Sequence, residues 1–366
     1  MAKATGRSIP TMRDVAAHAG VSIASVSRVV NGTAPTRAAT TQKVQAAVDA
    51  LGFRPNAVGR SLRTDRTRTF GVMVPAISNP VFAEAVAGLQ SAAREAGYTV
   101  LITYTDYVRD AEASALQTML SHRVDALVLT VADPDSNPLL DVLDAEERPY
   151  VLIYNQPNRK GRSAVTVDNV AAGRAVAETL VGLGHRRLGM VSGRFHASDR
   201  ARARHRGFAA GLADAGLAAP ALLEVDFTET DIRPALAGLY AATEAPTALF
   251  CSNDLLAIAV MGALRMLGKR VPEDVSVFGF DGIAVGALID PTLATVVQPS
   301  REMGEVAIHH LLDRLAGCGQ PQRIILPHRL RLGGSVGAAP PAIGADRSAR
   351  GINEPRRGGQ PRERDR

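Results

Sequence analysis

The chain has 366 residues, of which 46% are hydrophobic and 21% are charged. This length and composition are typical of a soluble globular protein with two or three folding units. No apolar run approaches the roughly 18 residues of a membrane span, and none of signal-peptide length follows the first residues. With only Cys251 and Cys318, we expect neither a disulfide framework nor a cysteine-based metal site, and we place the protein in the cytoplasm.

The positive charge of the chain is concentrated near its N-terminus. Residues 1–68 carry eleven lysines and arginines against three aspartates, a net charge of +8. The whole chain carries +6, so residues 69–366 carry −2. A basic segment on a slightly acidic body favours a nucleic-acid partner, because each neutralised phosphate releases condensed counterions. A solvated basic tag is the alternative that charge alone leaves open.

Residues 11–31 predict two short helices joined by a tight turn. Thr11 is expected to cap the first helix, and Gly20 can adopt the positive φ that ends it. Ser22 is expected to cap the second helix. The inward-facing residues of that helix are Val26, Val29 and Val30.

The second helix presents a face that suits the major groove of DNA. Most of its outward side chains are small or hydrogen-bonding, and such side chains let a helix approach base edges. The outward set is Ile23, Ala24, Ser25, Ser27 and Arg28. A third helix is predicted to begin at Thr36 or Arg37 and to end at Gly52. An ordinary three-helix bundle is the competing interpretation, which the basic charge and the Gly-Val-Ser turn disfavour.

These residues resemble the signature of the lactose-repressor (LacI) family of transcription regulators. Asp-Val-Ala stands at 14–16, Ala-Gly-Val-Ser at 19–22, and Val-Ser-Arg-Val-Val-Asn-Gly at 26–32. The resemblance continues through Phe53–Leu62, which is similar to the family's hinge helix. Gly59 departs from the family, which usually has alanine there, and glycine costs about 1 kcal/mol relative to alanine inside a helix.

The resemblance implies a role for individual residues of this DNA-binding head. Phosphate contacts are implied for Thr11, Ser22, Ser27, Asn31 and Asn56. Base contacts in the major groove are implied for Ile23, Ala24 and Arg28, on the same face as Ser25. Leu62 is implied to be the apolar lever that opens the centre of a palindromic operator from the minor groove. A homodimer is expected, because a two-fold protein matches a palindromic site on double-stranded DNA.

Beyond residue 68, short apolar runs alternate with amphipathic stretches. The runs predict buried parallel strands at Phe70–Pro75, Thr99–Tyr104, Ala126–Val131, Tyr150–Tyr154, Leu188–Ser192, Ala248–Cys251 and Val275–Phe280. Stretches such as Val81–Ala96 and Ala171–Leu183 predict crossover helices. Repeated β-α units predict doubly wound parallel sheets, and the span is too long for one sheet. The expected fold is an α-helical helix-turn-helix head followed by a two-lobed α/β body.

The body resembles the fold of periplasmic sugar-binding proteins. That resemblance implies passages between the lobes near Asn155–Asp168, Gln298–Arg301 and Leu326–Arg331. The expected domains are a DNA-binding domain over 1–52, a hinge helix and linker over 53–68, an effector-binding core over 69–336 and a disordered tail over 337–366.

Polar and aromatic residues follow the predicted strands, where open α/β sheets bind their ligands. Amides, carboxylates and an arginine suit the hydroxyls of a polyol, and aromatic rings suit its C–H faces. The candidate effector-binding residues are Asn79, Phe82, Asn155, Arg204, Phe227, Asn253, Asp281 and Gln298. Each has a plainer alternative, since Asp281 could merely cap a loop and Asn253 could close a turn.

Five arginines lie close together in the sequence beside this expected cleft. They are Arg194, Arg200, Arg202, Arg204 and Arg206. An acidic sugar as effector is one interpretation of this run, and a solvated helix face, which such runs form more often, is the other.

No catalytic constellation is recognisable, so we expect neither an enzyme nor a bound cofactor or metal. Glycine-rich spots lack the lysine of a phosphate-binding loop, and the adjacent His309 and His310 diverge on a helix. A transport-type binding protein and an architectural minor-groove protein are the competing classes. The predicted function is a transcription regulator of the repressor type with no membrane partner. A small sugar-like or sugar-acid effector is expected to change its operator affinity.

Overall fold

The computed structural model describes residues 10–31, 34–53 and 66–341, apart from 228, 230 and 243. The chain forms two compact units, one within residues 1–68 and the other within residues 69–366. No helix of the described residues is long and apolar enough to cross a membrane.

The N-terminal unit contains three helices, α1 (Met12–Ala19), α2 (Ile23–Asn31) and α3 (Ala38–Leu51). A capping box begins α1: the Asp14 amide donates to the Thr11 hydroxyl oxygen, and the Asp14 carboxylate accepts from the Thr11 amide at 2.8 Å. Gly20 ends α1 with a left-handed φ of 63°. The buried residues are Val15, Ala16, Val26, Val44, Ala47 and Phe53.

The body consists of alternating strands and helices, as predicted. Its strands are β1 (Thr69–Val74), β2 (Thr99–Tyr104), β3 (Ala126–Leu129), β4 (Tyr150–Ile153), β5 (Ala164–Thr166), β6 (Leu188–Gly193), β7 (Ala221–Val225), β8 (Ala248–Cys251), β9 (Ser276–Asp281), β10 (Ala294–Val297), β11 (Arg323–Ile325) and β12 (Arg329–Arg331). Its helices are α4 (Pro80–Glu95), α5 (Arg109–Ser121), α6 (Pro138–Ala145), α7 (Asn169–Gly182), α8 (Asp199–Asp214), α9 (Arg233–Tyr240), α10 (Asp254–Met266) and α11 (Ser300–Leu315).

Two six-stranded sheets define two lobes. The first lobe has the order β11-β5-β4-β3-β1-β2, and the second has the order β12-β10-β9-β8-β6-β7. Neighbouring strands run parallel except for the antiparallel pair β10–β12. The predicted two-lobed, doubly wound α/β body is therefore confirmed.

The chain passes between the lobes three times. The first passage lies between β5 and α7, the second between β10 and α11, and the third between β11 and β12. These passages fall in or beside the three predicted segments, although β5 still belongs to the first sheet and delays the first crossing until after Thr166.

The expected start of the tail at residue 337 is wrong. The Gly337 carbonyl oxygen accepts from the His185 ring or the Ser276 hydroxyl, and the Ala339 amide donates to the Leu183 carbonyl oxygen. These bonds attach residues 337–339 to the second lobe. Residues 342–366 lie outside the described residues.

Glycines allow one helix pair in each lobe to pack backbone against backbone. In the first lobe, a β-carbon at Gly304 of α11 would overlap the Ala85 carbonyl oxygen of α4. In the second, a β-carbon at Gly207 of α8 would overlap the Val170 carbonyl oxygen of α7. Each close approach fixes the spacing between the two helices of its pair.

We expect Gly207→Ala to lower the free energy of unfolding of the body by about 1–3 kcal/mol, because the added methyl group forces α7 and α8 apart. Gly238→Ala is the matched control: it lies in helix α9, has no atom within 4 Å of the added carbon, and should be neutral or stabilising. Urea unfolding of both variants gives the comparison. Equal stability of the two would mean that the α7–α8 contact is not close.

Candidate functional sites

The predicted DNA-reading residues lie on α2 and at its start. Ser22, Ile23, Ala24 and Arg28 are exposed, and Ile23 is a large apolar residue with 46% of its surface exposed. Ser22 begins the helix by accepting from the Ser25 amide at 3.1 Å. An exposed apolar side chain beside small residues leaves the helix surface free to enter a groove.

The other predicted head residues are already engaged within the unit. The Ser25 hydroxyl lies 3.0 Å from that of Ser22, and the Asn31 amide group donates to the carbonyl and hydroxyl oxygens of Ser27. Thr11 belongs to the capping box of α1. Asn56 and Leu62 lie outside the described residues.

A cavity of about 350 Å³, here called the central cleft, lies between the two lobes. Seven of the eight predicted effector-binding residues line it: Asn79, Phe82, Arg204, Phe227, Asn253, Asp281 and Gln298. These seven residues come from both lobes.

Asn155 does not line the central cleft, contrary to our prediction. Its side chain is fully buried, accepts from the Val131 amide at 2.9 Å and donates to the Val131 carbonyl oxygen at 2.8 Å. It also donates to the Asp199 carboxylate at 2.7 Å. These bonds hold the Asp199 carboxylate behind the cleft, so Asn155 positions other groups and does not face a ligand.

Arg204 is the most completely held side chain of the cleft. Its guanidinium donates to Asn169 Oδ1 at 2.8 Å and to the Ser252 carbonyl oxygen, and it stacks 3.5 Å above the Phe280 ring. It lies 4.0 Å from the Asp281 carboxylate. Burial lowers the pKa of Arg204 to about 10, so the residue remains charged at neutral pH.

Asp281 connects the two lobes at the end of β9. Its carboxylate accepts from Gln298 Nε2 at 2.8 Å and from the Asn79 amide group at 3.5 Å. Burial raises the pKa of this carboxyl to about 7, although the Arg204 charge acts in the opposite direction. Its backbone has a φ of 125°, a strained conformation of the kind that clusters at functional sites.

Two asparagines of the cleft also begin helices. Asn79 accepts from the Val81 amide at 3.2 Å and caps α4, and Asn253 accepts from the Leu256 amide at 2.8 Å and caps α10. The structural role that we considered for Asn253 is therefore present together with its position in the cleft. Capping uses Oδ1 and leaves the amide nitrogen for other bonds.

A stacked aromatic pair separates the central cleft from a second cavity at its mouth. The Tyr107 ring, after β2, lies parallel to the Phe227 ring, after β7, with centroids 4.1 Å apart. Both rings line the central cleft and the mouth cavity. Asp106 and Tyr107 have left-handed φ values of 49° and 61°, and this strained turn directs the Tyr107 ring across the lobes.

The arginines of the run differ in burial, since some line the cleft and others face solvent. Arg200 and Arg204, four residues apart on α8, are buried and line the central cleft, whereas Arg202 is exposed and pairs with Asp133 at 3.2 Å. Arg200 pairs with Asp199 at 3.0 Å and donates to the Val131 carbonyl oxygen. Both cleft arginines therefore lie near a carboxylate.

Seven lining residues were not among the candidates from the sequence: Val81, Tyr107, Tyr154, Ser198, Arg200, Ala201 and Ser252. Tyr107 and Ser252 follow strands, so the rule that identified Asn79 and Asn253 also points to them. Arg200 precedes Arg204 by one helical turn, and that spacing places the two on one face.

Comparison with known proteins supports both the DNA-binding head and the effector-binding body. Residues 11–56 match the bacterial regulatory proteins of the lacI family, and residues 177–336 match a periplasmic binding protein-like domain. The HTH-type transcriptional repressor PurR of Photobacterium profundum is 34% identical over 86% of this chain and 94% of its own length.

Solved structures show the same fold. The lac repressor dimer bound to operator and the anti-inducer ONPF has a TM-score of 0.81 at 26% identity, covering 90% of this chain and 100% of that one. A complex of the transcriptional regulator CelR with cellobiose has a TM-score of 0.66 at 30% identity, covering 89% and 99%. The chain thus belongs to the lacI family of bacterial regulatory proteins and is a DNA-binding transcription regulator controlled by a small molecule.

Proposed function

We propose that this regulator is a cytoplasmic repressor without enzymatic activity. It binds a palindromic operator as a homodimer through α2 and releases or recruits DNA when a hydroxylated effector occupies the central cleft. The observation that carries this proposal is the set of seven side chains from both lobes around one cavity. A ligand that contacts both lobes changes the stability of the closed arrangement relative to the open one. This difference shifts the population between the two arrangements.

The chemistry of the cleft favours a neutral sugar over a sugar acid. Arg200 has Asp199 as a partner at 3.0 Å, and Arg204 lies 4.0 Å from Asp281. Each guanidinium group of the cleft therefore has a carboxylate neighbour, and an added carboxylate on the ligand would also meet Asp281 in the lining. Amides, carboxylates and aromatic rings together match the hydroxyls and C–H faces of a neutral sugar. Cellobiose, ribose and D-xylulofuranose are the ligands of three similar solved proteins.

Footprinting of the purified protein on its own neighbouring intergenic DNA tests this function. We expect a protected palindrome, and we expect one neutral sugar among a panel of sugars and sugar acids to change the protection. Protection that no compound changes, or that only sugar acids change, would contradict the proposed effector class. Absence of any protected site would contradict the proposed repressor function.

A groove of mixed apolar and charged lining on the second lobe is the proposed contact between the two copies. Residues of α10 at helical spacing line a groove on this face together with the segment 289–291. The α10 residues are Ile258, Met261, Gly262 and Arg265. Leu288, directly before that segment, has 83% of its side chain exposed. A second copy of this chain is the occupant that matches the dimeric lac repressor, which shares this fold.

We expect Arg28→Ala to reduce operator binding more than binding to unrelated DNA, with a loss of discrimination of about 1–3 kcal/mol, because arginine pairs with guanine through two hydrogen bonds. Arg13→Ala, an exposed residue of α1, removes the same charge and should weaken both DNAs equally. Fluorescence anisotropy at one salt concentration measures the six affinities of wild type and the two variants for the two DNAs. Equal losses for Arg28→Ala on both DNAs would show that Arg28 contacts only phosphates.

A further inference from the structure

Direct hydrogen bonds join the two lobes where helix α8 begins. The Asp199 amide donates to the Ala132 carbonyl oxygen at 2.9 Å, and Arg200 Nη1 donates to the Val131 carbonyl oxygen at 3.0 Å. Helix α8 belongs to the second lobe, whereas both carbonyl groups follow strand β3 of the first lobe. Two donors of the second lobe are therefore bonded to acceptors of the first.

The Asp199 carboxylate makes two further bonds between the lobes, in the opposite direction. It accepts from Asn155 Nδ2 at 2.7 Å and from the Gln156 amide at 3.0 Å. Both donors follow strand β4 of the first lobe. These four hydrogen bonds are here called the interlobe latch, which consists of Val131, Ala132, Asn155, Gln156, Asp199 and Arg200.

The first lobe holds its half of the interlobe latch in position. The buried Glu112 carboxylate accepts from the Ala132 amide at 2.7 Å and from Asn137 Nδ2 at 3.0 Å. The Asn155 side chain bonds to both the amide and the carbonyl oxygen of Val131. Because these acceptors are already fixed within the first lobe, little conformational entropy is lost when the second lobe bonds to them.

The two charged groups of the interlobe latch are buried. Asp199 is 7% exposed and Arg200 is 5% exposed, and they lie 3.0 Å from each other. A hydrogen bond to a buried charged group contributes more than an exposed ion pair, and its partners are left unsatisfied when one of them is removed. The nearby pair of Arg202 and Asp133 also joins the lobes, but the Arg202 side chain is 48% exposed and the pair contributes little.

The interlobe latch bears on the effector because the central cleft is enclosed in this arrangement. The polar lining residues that we predicted from the sequence are each at most 8% exposed: Asn79, Arg204, Asn253, Asp281 and Gln298. On the side of the mouth cavity, the stacked Tyr107 and Phe227 rings cover the cleft. A small molecule therefore reaches these polar side chains when the lobes separate.

We propose that the interlobe latch holds the two lobes closed through protein–protein bonds, and that an effector enters the central cleft after the latch opens. The latch then sets the fraction of molecules that can take up effector, because apparent affinity scales with the population that is competent to bind. This inference rests on the proposed function for the place where the effector binds. The closure of the lobes itself is independent of the identity of the effector.

The test measures how often the cleft opens in the full-length protein, with neither effector nor DNA added. Ser252 lines the cleft and is 1% exposed, so Ser252→Cys places a thiol there that iodoacetamide alkylates in open molecules. Cys318→Ser removes the exposed native cysteine. Cys251 is fully buried in the core of the second lobe, so its alkylation reports unfolding of the same molecules. Tandem mass spectrometry distinguishes the two alkylated positions.

We expect Asp199→Ala in this background to accelerate alkylation at position 252 about a hundredfold, because the closed arrangement loses two hydrogen bonds to a charged group. The rate at position 252 should depend only weakly on urea, since opening exposes less surface than unfolding does. Arg202→Ala is the matched control on the same helix. It removes the exposed pair between the lobes and should change the rate about fivefold at most.

A second variant covers the case in which Asp199→Ala lowers the melting temperature of the protein. Asp199→Asn retains the volume of the side chain and one acceptor oxygen, which can still accept from the Gln156 amide. Its amide group would face the donor group of Asn155, so one of the two bonds is lost. We expect an alkylation rate between those of Arg202→Ala and Asp199→Ala.

The interlobe latch would be refuted if both Asp199 variants reacted at position 252 no faster than Arg202→Ala. An acceleration that rises with urea as steeply as the alkylation of Cys251 would also refute it, because the thiol would then react through unfolding. Footprinting on intergenic DNA tests the proposed function separately. A protein that shows the expected alkylation rates but protects no DNA would retain the latch and lose the repressor function.

Discussion

Replacing Leu288 with aspartate is expected to convert the proposed homodimer into monomers and to lower operator affinity by about 10²–10⁴-fold. Leu288 is the most exposed of the large hydrophobic side chains among the described residues, at 83%. A buried, unpaired carboxylate at an interface is strongly unfavourable, so the two copies separate. Each head then binds one half of the operator without the effective concentration that its partner supplied.

The measurement combines sedimentation velocity with operator binding. Ile325→Asp is the matched control, because Ile325 is also exposed, at 47%, but lies on β11 in the other lobe. It should leave both the mass and the affinity unchanged. A dimeric Leu288→Asp protein would mean that the interface lies elsewhere. A monomeric variant with unchanged operator affinity would contradict the recognition of a palindrome by two heads.

Replacing Arg204 with methionine is expected to destabilise the body by about 3–5 kcal/mol and to abolish the response to effector. The change removes the charge 4.0 Å from Asp281 and leaves Asn169 Oδ1 and the Ser252 carbonyl oxygen without their donor. Arg202→Met is the control on the same helix: that side chain is 48% exposed, and its pair with Asp133 is worth at most about 1 kcal/mol.

The loss of stability in Arg204→Met is expected to depend on pH. The pKa of Asp281 is raised by burial to about 7, above the value of about 3.9 in an unfolded chain, so the folded protein binds more protons. Stability therefore falls as pH rises between these two values. The Arg204 charge opposes this increase in the pKa of Asp281. Its removal therefore raises that pKa further, and the stability continues to fall up to a higher pH. The difference between wild type and variant should be larger at pH 8.5 than at pH 6.

Urea unfolding at the two pH values measures this difference. The double variant Arg204→Met/Asp281→Asn has no carboxyl at position 281 and should lose the additional deficit at pH 8.5. A deficit that is equal at both pH values would show that Arg204 acts through its hydrogen bonds to Asn169 and Ser252 alone. Unchanged binding of an effector by Arg204→Met would remove this residue from the site.

Local chemistry was enough to predict the helices of the head and seven of the twelve strands of the body. The caps at Thr11 and Ser22 and the left-handed Gly20 lie within a few residues of the helices that they begin or end, so the first two helices of the head follow from short-range geometry. The seven predicted strands are present because continuous apolar runs are buried on both faces of a parallel sheet. Strands β5, β7, β10, β11 and β12 were missed, since they are short and several lie at or near sheet edges, where an apolar run is not required.

The site was predicted less completely than the elements. The rule that ligands bind after the carboxyl ends of strands located Asn79, Asn253 and Asp281, because that rule depends only on strand order. It also selected Asn155, which follows β4 but turns away from the cleft and bonds to Val131 and Asp199. The direction of the Asn155 side chain depends on hydrogen-bond partners that are 24 and 44 residues away in the chain.

Only the tertiary structure decided which arginines face the effector and where the cleft ends. A run of arginines on α8 has one face inside and one outside, and the packing of Gly207 on α7 turns Arg200 and Arg204 inward. The Tyr107 ring stacks on the Phe227 ring of the other lobe, and these two residues are far apart in the chain. Periodicity and capping act over a few residues, so the sequence alone determined the helices of the head and the seven strands formed by continuous apolar runs. The arrangement of the cleft depends on how two sheets joined by three passages meet, and that relation is set by packing across the whole body.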